Sequence, residues 1–211
     1  LSGNIRQQIL TLAVPLLLGN ILQQLYNTAD SLIVGRFLGT NAFASVGISG
    51  SLMNLFIFIL DGFYAGITVI LGQFYGIRAV GENESAAKSV GLNVMKYKYI
   101  ALLIAGVCTI FLDSILDLIH TPEELVSYAE SYLFIILAGL PFTCLYNLFS
   151  GVLRSIGNTK AALIFLAAAI TMNIALDFLF IGIIGIGTAG AAAATVLSQL
   201  FSAVCCFLYL R

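Results

Sequence analysis

Apolar residues run along this chain in six long stretches, roughly 8–35, 43–76, 87–116, 124–153, 160–183 and 188–210, separated by short polar or glycine-rich breaks. A helix needs about 20 residues to cross the hydrocarbon core, so each stretch predicts a transmembrane span. Several exceed that length and would tilt or protrude. The breaks carry turn chemistry. GRFLGT (35–40) and GIRAVGENES (76–85) separate the first three spans, and HTPEE (120–124) sets a proline and two acidic residues where a helix would start. RSIGNTK (154–160) reads as a glycine–asparagine turn, and IGIIGIGTAG (181–190) as a tight glycine-rich reversal. Pro15 and Pro141 fall inside spans, where neighbouring groups can satisfy the carbonyls a proline frees. The fold class predicted is an all-α integral membrane bundle of six transmembrane helices, with residues 1–211 forming one unit.

Polar residues inside these spans are organised. With 3.6 residues per turn, Asn20, Gln23, Gln24, Asn27, Asp30 and Ser31 fall in a sector about 120° wide on the first span. A polar stripe in a span faces protein or water, not lipid. Narrower stripes recur as Asn54, Asp61 and Thr68 on the second span, and as Thr143, Tyr146, Asn147, Ser150 and Arg154 on the fourth. Asn173 and Asp177 share a face of the fifth span, and Thr188, Thr195, Gln199 and Ser202 line the sixth. Hydroxyls and amides commonly do no more than hold helices together. Carboxylates are different. A mid-membrane Asp carries an insertion penalty of roughly 2.5–3.5 kcal/mol, and no Arg or Lys is clearly placed to pair with Asp30 or Asp177. Each must be protonated, hydrated or bound to a cation, which are the states of a coupling site. Asp61 has fewer polar companions and is the weaker case.

Composition sharpens the membrane assignment. Hydrophobic residues make up 60% of the chain and charged residues 9%, with a mean hydropathy of +1.05, against roughly a quarter charged in soluble domains. The net charge of −1 leaves no basic footprint for nucleic acid. Cys108, Cys144, Cys205 and Cys206 all lie in apolar runs without metal-ligand spacing and read as small buried hydrophobes. LSGNIRQQ passes directly into a long span, so the first helix is expected to be retained. With the N-terminus in the cytoplasm, Arg6, Arg78, Lys88, Arg154, Lys160 and Arg211 all face inward and only Arg36 outward. Lys96 and Lys98 lie a turn or two into the third span and would snorkel. The GxGxxG match at Gly185, Gly187 and Gly190 has no βαβ context, so helix packing explains it better than a dinucleotide. His120 reads as a solvated interfacial residue, and Arg154 as a cytoplasmic anchor, with a gating ion pair as its alternative.

PLLLGNILQQLYNTADSLIVGRFLG (15–39), GQFYG (72–76), LRSIGNTK (153–160), NIALDFLFIG (173–182) and GTAGAAAATVLSQ (187–199) resemble the multidrug and toxic-compound extrusion (MATE) family, in order and over the whole chain. The resemblance implies a twelve-span protein of two six-helix lobes, this chain matching the N-terminal one and lacking its C-terminal partner. It also implies a cation site of Asp30, Asn173, Asp177 and Thr195, with Ala191 offering a backbone carbonyl. Asn20, Gln23, Gln24, Tyr26, Asn27, Asn54, Asp61, Tyr146, Asn147 and Gln199 become the expected cavity lining. Asp61, Lys96 and Lys98 depart from the family pattern. Two carboxylates with amide and hydroxyl oxygens suit Na⁺. The same two, repelling one another when ionised, suit a shared proton.

The implied activity is secondary-active efflux of organic cations and amphipathic drugs across the cytoplasmic membrane, by Na⁺ or H⁺ antiport and without an organic cofactor or enzymatic chemistry. Three alternatives compete with it. A lipid-linked oligosaccharide flippase would need basic residues in its cavity. An intramembrane aspartyl protease would need other sequence around its aspartates. A membrane scaffold would leave the carboxylates without a purpose.

Overall fold

Helix α1, Ile5–Leu38, runs 34 residues through Pro15 without interruption, a rise of about 51 Å at 1.5 Å per residue. The computed structural model describes residues 5–54, 57, 103, 106–107 and 109–211, all in helices or their connections, with no strand among them. Asp61, Lys96 and Lys98, the second break and most of the second and third spans lie outside the described residues. The first break is shorter than the sequence predicts. Only Gly39 leaves the helix, with φ +88°, and helix α2 resumes over residues 40–54. One left-handed residue suffices because glycine has no Cβ to clash there. The end of the third span appears as α3, Leu112–Leu118.

Two turns share one design. After α3, the amide of Thr121 bonds the carbonyl of Leu116 at 3.1 Å and that of His120 bonds Asp117 at 3.0 Å, with His120 at φ +54°. After α4, Glu123–Ser155, the amide of Asn158 bonds Leu153 at 2.9 Å and that of Gly157 bonds Arg154 at 3.0 Å, with Gly157 at φ +84°. Both are Schellman endings that satisfy otherwise orphaned carbonyls. Pro122 then opens α4, whose first turn carries Glu123 and Glu124 against the positive end of its dipole. Asn158 does double duty. Its Oδ1 accepts from the Ala161 amide to cap α5, Thr159–Asp177, and its Nδ2 donates to the Tyr209 hydroxyl at 2.8 Å, fixing the turn to the end of α6, Thr188–Leu210.

Beyond Asp177 the fifth span does not stay α-helical. Phe178–Ile184 forms a π-helical stretch, ended by Gly185 at φ +76°. The expected reversal follows through Gly185 and Gly187, the latter at φ +78°.

Helices α4, α5 and α6 pack together against α1, with a core that includes Leu133, Leu137, Leu140, Ala191 and Ala192 on one side and Tyr26, Leu153, Leu166 and Cys206 on the other. At the α4–α6 crossing, the absent side chain of Gly139 makes room for both methyls of Val196. Three described helices are long and apolar enough to cross a membrane, at Glu123–Ser155, Thr159–Ile184 and Thr188–Leu210.

Candidate functional site

Four helices each direct polar side chains toward one buried point. Helix α1 supplies Tyr26 and Asp30, one turn apart, and α5 supplies Asn173 and Asp177 at the same spacing. Helix α4 brings Tyr132, while α6 brings Thr195 with the fully buried Ala191 one turn before it. Asp30 is 5% exposed, and Asn173 and Asp177 are 0% exposed. The two carboxylates are close enough to act on each other electrostatically, and the Tyr132 hydroxyl lies against Asp30. Asn173 Nδ2 approaches Thr195 Oγ1 at 3.5 Å, a long contact. The Tyr26 hydroxyl sits beside Thr195 without a hydrogen bond.

Unsatisfied oxygens dominate this cluster. Tyr26 Oη, Asp30 Oδ1, Asn173 Oδ1 and both carboxylate oxygens of Asp177 are buried with no hydrogen-bond partner. Orphaned buried acceptors carry a desolvation penalty of about 1–3 kcal/mol each, more for charged groups. Two carboxylates side by side add mutual repulsion. A proton shared between them or a small hard cation relieves both problems at once. The donor set fits Na⁺: two carboxylates, one amide oxygen and hydroxyls, all oxygen. Among the described residues, no three His, Cys, Asp or Glu side chains gather as a transition-metal site would require.

A second feature adjoins the first. A cavity of about 690 Å³ is lined by Asn20, Gln23 and Asn27 from α1, by Asn54 and Ile57, by Tyr146, Asn147 and Arg154 from α4, and by Gln199 from α6. The α1 stripe therefore divides. Three amides face the cavity, while Tyr26 and Asp30 turn into the buried cluster. Gln24 departs from expectation: it is exposed and absent from the cavity lining, because the sector drawn from the sequence is wider than the face the cavity uses. Ser31 bonds back to the Asn27 carbonyl at 2.8 Å. Other hydroxyls only join helices, as Thr188 does to the Tyr128 carbonyl at 3.1 Å and Ser202 to that of Phe165 at 3.3 Å. The Nε of Arg154 donates to the Ser150 carbonyl at 3.2 Å, and no carboxylate pairs with it among the described residues.

Tyr132 is absent from the sequence-based set. It lies eleven residues before Thr143, about three turns, and so continues the fourth-span stripe backward. That periodicity is the signal that could have found it.

The MatE family model matches residues 15–179. The probable multidrug resistance protein YpnP of Bacillus subtilis (strain 168) is 34% identical over 201 residues, covering 94% of this chain and 44% of that protein. The probable multidrug resistance protein YoeA of the same strain is 32% identical over 203 residues, covering 94% of this chain and 43% of the relative. A crystal structure of MATE in the bent conformation superposes with a TM-score of 0.82 at 27% identity, over 99% of this chain and 46% of that one. The chain thus spans less than half the length of the curated relatives it matches. With its long apolar helices, it is a multi-pass membrane protein.

Proposed function

Because the chain belongs to the MatE family, we propose that it forms the N-terminal six-helix lobe of a secondary-active exporter that moves amphipathic drugs, organic cations among them, in exchange for Na⁺ or H⁺. The observation that carries this reading is the buried pair of Asp30 and Asp177 with its orphaned oxygens. Such a pair holds a cation when one is supplied and suffers repulsion when it leaves. A lobe with that property has two states of different internal energy, and ion binding selects between them. Moving one elementary charge down 100 mV releases about 2.3 kcal/mol, enough to drive a solute gradient.

The geometry supports a division of labour. Asp30 and Asp177 take the cation, with Asn173, Thr195 and Tyr26 contributing neutral oxygens, the Ala191 carbonyl a further candidate, and Tyr132 orienting Asp30. The amide-lined cavity next to them receives the solute. The two sites share α1, since Asn27 faces the cavity and Asp30 the pair. A change in α1 on cation binding would therefore reach the cavity directly. Export proceeds by alternating access of this lobe against a C-terminal one around a site near the membrane midplane. The proposed setting is the cytoplasmic membrane, with the N-terminus inside. Family membership favours transport over proteolysis as the work of the carboxylate pair.

Asp30→Asn removes a charge and adds no bulk, so the full-length protein carrying it should reach the membrane normally. Cells expressing this variant should lose drug resistance to the level of cells without the transporter. Undiminished resistance at equal membrane abundance would refute the assignment.

A further inference from the structure

Asp30 and Asp177 stand on different helices, so the distance between them depends on how α1 lies against α5. Phe37 bears on that register. It follows Asp30 by seven residues, about two turns, and so lies on the same face of α1. Its ring stands edge-on to Phe178, the residue after Asp177, with centroids 5.9 Å apart and planes at 87°. The same ring covers Gly182, where a Cβ would sit 3.4 Å from both Cε1 and Cζ. An alanine would just touch the ring there, and a larger side chain would lift it away.

The backbone beyond α5 presents this notch. Immediately after Asp177 the span takes its π-helical form, and the Gly185 amide bonds the Phe180 carbonyl five residues back. Bonding of that kind stacks each residue nearly over the fifth one beyond it, which sets Gly182 on the face of Asp177. At 3.6 residues per turn, position 182 would instead lie about 140° around the helix from Asp177. Phe180 and Ile181 pack on Gly190 of α6, where a Cβ would meet the Phe180 Cβ at 3.1 Å and the Ile181 Cγ1 at 3.5 Å. The stretch is thus seated between the two helices that bring Asp30 and Thr195 to the cluster. Phe37 and Phe178 are 48% and 49% exposed, so core filling does not account for their pairing.

We propose that Phe37 is a positioning residue. Seated in the notch of Phe178 and Gly182, it holds α1 at the register on α5 where Asp30 faces Asp177, and so sets the cation affinity of the pair without touching the cation. The inference rests on the coupling-site reading for its functional sense. Its test includes a distance that can be measured without any gradient, so either can fail without the other.

Drug efflux by the full-length protein in liposomes is measured against Na⁺ concentration and against pH. Phe37→Ala and Gly182→Val should each raise the half-saturating concentration of the driving cation about 10-fold, the lower end of what lost outer-shell support costs a metal site. The maximum rate should be preserved. Phe37→Tyr and Gly182→Ala keep the ring in its notch and should behave as the unaltered protein. A lowered maximum with unchanged half-saturation would mark a general packing defect and overturn the proposal, as would a Phe37→Ala variant indistinguishable from the unaltered protein. Spin labels at Leu32→Cys on α1 and Ile164→Cys on α5, both exposed apolar positions, supply the distance by electron paramagnetic resonance once the native cysteines are replaced. Phe37→Ala should shift or broaden the distribution, and Phe37→Tyr should leave it alone. An unchanged distribution in Phe37→Ala overturns the proposal even where efflux changes. If the unaltered protein shows no gradient-driven efflux, the transport reading fails, and the distance alone decides whether Phe37 positions α1.

Discussion

Asp30 and Asp177 could be picked out from the sequence because a carboxylate in an apolar run has no inexpensive explanation. Asn173 followed from its spacing to Asp177. Tyr132 was harder to see. Tyrosine is amphipathic and sits unremarked at apolar positions, and only contact with Asp30 shows its hydroxyl to be part of the cluster. Gln24 is exposed and outside the described cavity lining, because a helical sector cannot say which part of a stripe a neighbour covers. If Tyr132 orients Asp30, Tyr132→Phe should leave the fold intact and weaken the driving cation's apparent affinity by about 5-fold, the equivalent of one hydrogen bond near 1 kcal/mol. The dependence of efflux on Na⁺ or proton concentration would show this as a raised half-saturation with a preserved maximum. An unchanged half-saturation would remove Tyr132 from the site.

The bounds of the first, fourth, fifth and sixth helices lie within a few residues of the apolar stretches, because long apolar runs and glycine-bearing breaks are strong signals. The finer forms were not. Nothing in FLFIGII distinguishes a π-helical stretch from an α-helix; in the fold, Phe180 and Ile181 of that stretch pack closely over Gly190. The Schellman ending at His120 was hidden as well, because glycine usually holds that position. Gly139 looks unremarkable in LAGLP, yet a Cβ there would overlap both methyls of Val196. Gly139→Ala should therefore destabilise the α4–α6 crossing by about 1–3 kcal/mol, as overpacking does. Thermal unfolding of the full-length protein in detergent would register the loss. Val196→Ala in the same chain should restore much of it, and strict additivity of the two changes would contradict a direct contact.

At the level of the whole molecule, the proposed orientation puts the turn at Gly157 in the cytoplasm and the turn at His120 outside, since basic residues gather on the first side and acidic ones on the second. Both turns are exposed at Ile156 and His120. In intact cells, an impermeant thiol reagent should label His120→Cys and spare Ile156→Cys, in a background where the native cysteines have been replaced. The opposite pattern would invert the topology. The proposed two-lobe architecture is consistent with a match to less than half the length of each relative.

The central claim is that the Asp30–Asp177 pair couples a cation gradient to solute movement. Full-length protein in liposomes, loaded with a fluorescent drug and given a Na⁺ gradient or a pH gradient separately, tests it most directly. The unaltered protein should move drug under at least one of these gradients. Asp30→Asn and Asp177→Asn should each abolish gradient-driven movement while still binding the drug. Gradient-driven transport at the full rate by either variant would contradict the account.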